Sequence, residues 1–252
     1  MNILILGGTT EASAIARGLA GDARFRPVLS LAGRTRAPVP PPVPWRSGGF
    51  GGVDGLAAYL MAHRVEALVD ATHPFAARIS RNAVLAAGVS GVPHLAVLRP
   101  AWAAAPGDDW TLVQDMNGAA AALGLRPRRV LLTVGQQELA PFAAAPSHRY
   151  LIRSVDPPPP ALVPPGARVM TARGPFDWAD EVRLLLAERT EVLVTKNSGG
   201  SATAAKLAVA RALGLRVVMV QRPPAPPGTV PDAASALAWL HHGAAGGWER
   251  GA

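Results

Sequence analysis

The sequence predicts an α/β protein built from two parallel-sheet units with a cleft between them. Three observations carry this reading. Short apolar runs alternate with alanine-rich amphipathic stretches along nearly the whole chain. The alternation starts at residue 2, where Ile3-Leu4-Ile5-Leu6 runs into Gly7-Gly8 and then Thr9-Thr10-Glu11. It breaks around Ala103 to Asp109 and then begins again.

In order, the first run predicts a strand at 2–6, a helix at 11–20, a strand at 27–31, a helix at 53–63, a strand at 66–70, a helix from Pro74 to Ala87 and a strand at 95–98. Pro74 suits a helix start, where its missing N–H is not needed. The proline- and glycine-rich stretch from Ala37 to Gly52 reads as a loop. The second run predicts strands at 110–114, 129–134, 149–155, 168–172, 191–195 and 216–221, with helices at 117–124, 177–188, 203–213 and 232–241 and another opening at Gly135-Gln136-Gln137-Glu138. A Gly-rich tail ends the chain. The expected domains are therefore 1–103 and 104–252.

Composition narrows the chemistry. Hydrophobic residues make up 49% of the 252 and charged ones 17%, which describes a globular chain. Cysteine is absent, which removes disulfides, thiolate metal sites, Cys nucleophiles and iron-sulfur clusters. The start of the chain goes directly into a strand, and no apolar segment is long enough to span a bilayer, so a cytoplasmic protein is expected. The net charge of +8 is compatible with nucleic acid, an acidic surface or a small polyanion. No basic run or aromatic-basic motif favours nucleic acid. Only Lys196 and Lys206 are lysines and the other cations are arginines, so part of the charge is a compositional bias.

Three strand-to-helix turns could hold an anion. At the first, Gly8, Thr9, Thr10 and Glu11 combine permissive backbone, hydroxyl donors and the positive end of a helix, which suits a phosphate or simply a tight turn. The full G-x-G-x-x-G spacing is missing. After the second strand no acid appears, while Ser30, Arg34 and Arg36 are at hand; in a dinucleotide fold a basic residue there accommodates the 2′-phosphate of NADP. The second turn, Lys196-Asn197-Ser198-Gly199-Gly200-Ser201, adds a full charge to polar donors. The third runs from Thr133 to Gln137 and reads more as a plain helix start.

His73, in the turn Ala71-Thr72-His73-Pro74 at the end of a buried strand, could bond a cofactor, transfer a proton or cap the helix. Trp102 could wall a pocket or pack. Glu138, Asp177 and Glu181 read as helix-turn acids, and His241-His242 as surface without a metal. H-E-x-x-H, P-loop and G-x-S-x-G patterns are absent, as is a tyrosine followed by lysine at helical spacing.

Leu-Gly-Gly-Thr-Thr-Glu-Ala (6–12), Asp-Ala-Thr-His-Pro-Phe-Ala (70–76), Arg99-Pro100 with Trp102, and Thr-Lys-Asn-Ser-Gly-Gly (195–200) together resemble the precorrin-6A reductase family of cobalamin biosynthesis. The resemblance spans Asn2 to about Arg222. It implies two Rossmann-like domains, NADPH as hydride donor, and a polycarboxylate tetrapyrrole reduced at a macrocycle double bond, precorrin-6A giving precorrin-6B. Gly8, Thr9, Thr10 and Glu11 would then meet the pyrophosphate, Ser30 and Arg34 the 2′-phosphate, and Thr72 and His73 the nicotinamide end. Lys196, Asn197, Ser198 and Gly199 would meet the substrate's acid arms, with Arg153 and Arg173 as helpers. His73, Lys196 or water would supply the proton. No metal, nucleic acid or membrane partner is expected, and the chain is expected as a monomer or weak homo-oligomer. A cobalt-precorrin-6A reductase and a non-catalytic NADP-binding sensor are the alternatives.

Overall fold

Every second residue of the first strand faces a different core, and this decides the first unit. In a computed structural model, which describes residues 1–33 and 39–246, β1 (Asn2–Leu6) buries Ile3 and Ile5 on one side and Leu4 and Leu6 on the other. A strand covered on both faces must read as continuous apolar sequence, as this one does. Ile3 and Ile5 pack with Ala12, Ile15 and Leu19 of α1 (Thr10–Leu19) and with Ala236 and Leu240 of α8 (Ala233–Ala244). Leu4 and Leu6 pack with Leu56 and Leu60 of α2 (Val53–Ala62) and Ala83, Ala86 and Ala87 of α3 (Ala77–Ser90).

The sheet between these helices is parallel throughout and has the order β12-β5-β4-β1-β2-β3. Its other members are β2 (Arg26–Leu31), β3 (Trp45–Ser47), β4 (Ala67–Asp70), β5 (His94–Val97) and β12 (Thr229–Val230). The second unit has its own parallel sheet, ordered β6-β11-β10-β7-β8-β9. Those strands are β6 (Asp109–Val113), β7 (Arg129–Thr133), β8 (Arg149–Ser154), β9 (Arg168–Thr171), β10 (Val192–Lys196) and β11 (Arg216–Val220). Its helices are α4 (Met116–Ala122), α5 (Ala140–Ala143), α6 (Trp178–Ala187) and α7 (Ala205–Ala212). Leu131, Leu193, Val217 and Met219 pack against Leu185 of α6 and Leu207 and Val209 of α7.

Four expectations need correction. The second unit spans 101–222, not 104–252, because the chain returns to the first unit at Pro223. The returning segment adds β12 beside β5 and lays α8 against α1, whose apolar face it covers. The stretch expected as loop contains β3, recruited because the open edge of β2 supplies ladder partners to Trp45, Arg46 and Ser47. The helix expected from Pro74 begins at Ala77, since 74–76 form a tight turn in which Ala76 N–H donates to His73 C=O at 2.7 Å. The turn at 135–138 opens as a 3-10 segment before the short α5.

Truncating Leu240, which is fully buried between α8 and the sheet, removes contacts that local sequence does not replace. Leu240→Ala should cost about 2–5 kcal/mol of unfolding free energy by urea denaturation, an effect a C-terminal helix outside the core would not show.

Candidate functional site

The turn after β1 is shaped by two glycines for different reasons. A β-carbon on Gly7 would stand 2.6 Å from Leu29 Cδ1, so the chain passes close over β2 there. Gly8 has φ 116° with open space where a side chain would be, a conformation that L-residues rarely adopt. Thr9 is the N-cap of α1, its Oγ1 accepting from Ala12 N–H at 3.1 Å and donating to the Ala71 carbonyl at 2.7 Å. That hydroxyl proton is spent on the neighbouring turn. The amides of Gly8, Thr9 and Thr10 precede the first intrahelical bond, Ser13 N–H to Thr9 C=O, and lie at the exposed positive end of the helix.

Glu11 in this turn would repel an anion were it not matched. Arg99, just beyond β5, pairs with it at 2.8 Å. Burial pushes the Glu11 carboxyl up, but a backbone hydrogen bond, Arg99 and the Thr10 hydroxyl outweigh it and hold it below the ordinary range. Thr10 donates to Glu11 at 3.1 Å. Arg99 entered the sequence reading only as part of a motif, since its partner lies 88 residues away.

At the end of β2, Ser30 is buried and its hydroxyl accepts from Arg46 at 2.8 Å. Arg46 also donates to the carbonyls of Gly48 and Gly49 and stacks 4.0 Å over the Phe50 ring, so it holds this rim together. Arg34 and Arg36 lie outside the described residues. Beyond β4, Asp70 is buried and accepts from Thr72 N–H at 3.0 Å and Thr72 Oγ1 at 2.6 Å. His73 Nδ1 accepts from Phe75 N–H at 3.2 Å, which in the neutral ring places the proton on Nε2. Thr72 and His73 line a cavity of about 520 Å³ at the carboxyl ends of β4 and β5.

In the second unit the lysine-containing turn is largely occupied by the protein itself. Lys196 ends β10 and its ammonium meets Glu138 Oε2 at 2.8 Å; the same oxygen accepts from Gly135 N–H at 2.7 Å, joining two of the three turns. Asn197 clamps Trp102, accepting from its N–H at 2.8 Å and donating to its C=O at 2.9 Å, while its own carbonyl accepts from Arg222 at 2.6 Å. Its side-chain carbonyl and one of its two amide N–H groups are thus committed to Trp102. Trp102 Nε1 donates to Gly200 C=O at 3.1 Å. Ser198 and Gly199 are buried, and Gly199 and Gly200 have φ of 64° and 82°.

Arg153 is also committed. Its guanidinium pairs with Glu181 at 2.8 Å and stacks 4.0 Å over Phe176, with 6% and 0% of the two ion-pair side chains exposed. Glu181 lies in the first turn of α6, as expected of a helix-turn acid, and is in addition a core ion-pair partner, while Asp177 caps α6 by accepting from Asp180 N–H at 2.7 Å. Arg173 is exposed beyond β9. Lys206, unassigned by sequence, is buried with its ammonium 5.4 Å from the Trp102 ring. Burial pushes it down to about 7; the Arg153 and Lys196 charges add to that and Glu181 opposes it. Near the C-terminus, His241 packs edge-on to Phe25 at 5.0 Å, and no metal cluster occurs among the described residues.

Two outcomes test these assignments. Asn197→Asp can still accept from Trp102 N–H but turns a carboxylate toward its carbonyl, and should cost about 1–3 kcal/mol in urea unfolding. Lys206 holds its proton less tightly folded than unfolded, so its contribution to stability rises with pH between about 7 and 10.5. In Lys206→Met, unfolding measured across that range should lose this rise.

The geometry of the two units agrees with what similar proteins show. A family model described as "Precorrin-6x reductase CbiJ/CobK" matches residues 2–241. A precorrin-6A reductase of Sinorhizobium sp is 53% identical over 241 residues, covering 95% of this chain and 92% of the relative. One from Rhodococcus erythropolis is 50% identical over 240 residues, covering 94% and 96%. A solved structure described as "CobK precorrin-6A reductase" superposes with a TM-score of 0.90 at 48% identity over 96% of each chain. The chain belongs to the precorrin-6x reductase CbiJ/CobK family.

Proposed function

We propose that this protein reduces precorrin-6A at a double bond of the macrocycle, with NADPH as the hydride donor, as a step of cobalamin biosynthesis. The observation that carries the cofactor reading is the Gly7-Gly8 turn. Its backbone is open, a side chain is excluded at one glycine and disfavoured at the next, and helix amides face outward, which fits a pyrophosphate. The described end of β2, from Ser30 to Gly33, holds no acid, and the following Arg34 supplies a guanidinium for a 2′-phosphate.

When bound, NADPH supplies the hydride, and the protein positions two partners and a proton. The Gly8 to Glu11 turn holds the nucleotide, with the Arg99–Glu11 pair keeping that corner from repelling phosphate. Thr72 is fixed by Asp70, and His73 Nε2 is the proton-bearing atom beside the cavity after β4. Lys196, paired with Glu138 at 2.8 Å, and the donors of Ser198, Gly199 and Arg173 meet acid arms of the substrate.

Stoichiometric oxidation of NADPH on adding precorrin-6A tests the reading, and absence of turnover would leave an NADP-binding sensor. Running the same assay with cobalt-precorrin-6A distinguishes the metal-free from the cobalt-bound substrate. NADPH should be preferred to NADH, and Arg34→Ala should lose about 10- to 100-fold of that preference in Kd by calorimetry, the worth of a charge-assisted bond.

A further inference from the structure

Two of the cations expected to receive the substrate's acid arms, Lys196 and Arg153, already have internal partners, Glu138 and Glu181. A carboxylate recruited there must displace or share one of these bonds. The first unit offers a different arrangement. Arg78 and Arg81 stand three residues apart on α3, both exposed, and neither forms an ion pair among the described residues.

Arg81 lines the cavity of about 520 Å³ that also holds Thr72 and His73. With Arg78 it lines an adjoining hollow of about 470 Å³ on α3. Arg78 is not placed for stability: it lies in the first turn of α3, which has no acid and no side-chain cap, and a cation there opposes the helix dipole. The cavity is otherwise mostly apolar, with Val84, Leu85, Pro224 and Pro227 among its walls. Its one carboxylate, Asp70, is buried, whereas Arg78 and Arg81 are exposed.

An apolar wall with two guanidinium groups at its edge matches one chemistry, a flat apolar ring carrying a carboxylate arm. Resting on the reductase reading above, we propose that Arg81, assisted by Arg78, binds one carboxylate arm of the precorrin macrocycle, whose ring edge lies against the proline and leucine wall next to His73. The two arginines thereby determine substrate affinity rather than cofactor affinity.

Steady-state kinetics of Arg81→Gln and the Arg78→Gln/Arg81→Gln double variant test this, alongside NADPH Kd by fluorescence and thermal melting. The KM for precorrin-6A should rise tenfold or more in Arg81→Gln and further in the double variant, with NADPH Kd and melting temperature unchanged. Arg81→Lys should recover part of the loss by restoring the charge without the fork. An unchanged precorrin-6A KM in the double variant overturns the proposal, and so does a weakened NADPH Kd with KM for precorrin-6A intact. Turnover by the unaltered enzyme in the same assay tests the reductase reading separately.

Discussion

The Thr9 hydroxyl makes two bonds on which the first site depends. By accepting from Ala12 N–H it starts α1, and by donating to Ala71 C=O it locks the turn after β1 to the turn after β4. Parallel strands end side by side, and the backbone groups just past their ends lose their ladder partners. A single side chain that satisfies one donor and one acceptor there fixes the spacing between the glycine turn and the Asp70–Thr72–His73 segment. The glycine turn and the histidine segment are therefore held to one another by a bond between elements 62 residues apart.

The same economy appears in the second unit. Asn197 has one acceptor and two donors at the end of its side chain, and both N–H and C=O of Trp102 are bonded to it. Its backbone carbonyl holds Arg222. Trp102 lies just after the chain enters this unit and Arg222 just before it leaves, so one residue anchors both ends of the segment. Polar residues in a glycine-containing turn are commonly taken for ligand donors; here the backbone uses them first.

Charge follows a related division. Lys196, Arg153 and Arg99 each meet a carboxylate at 2.8 Å. The buried ammonium of Lys206 has no such direct ion pair among the described residues and is pushed down toward neutrality instead. Such a group can lose its charge at modest cost, whereas removing either partner of the buried Arg153–Glu181 pair strands the other in the core.

Strand and helix positions were legible because apolar runs bounded by glycine and alternating with alanine-rich stretches leave few other packings; the order of strands was not, nor was β3, whose ladder depends on the open edge of β2. The return of residues 223–246 to the first unit was equally hidden, since α8 has an amphipathic pattern that would suit either sheet and only the uncovered face of α1 selects one. The glycine turn and the His-Pro-Phe segment announced themselves by local chemistry. Which donors remain available for a ligand was a tertiary matter, because a hydroxyl, amide or guanidinium looks the same in sequence whether or not a partner 62, 95 or 28 residues away has already claimed it.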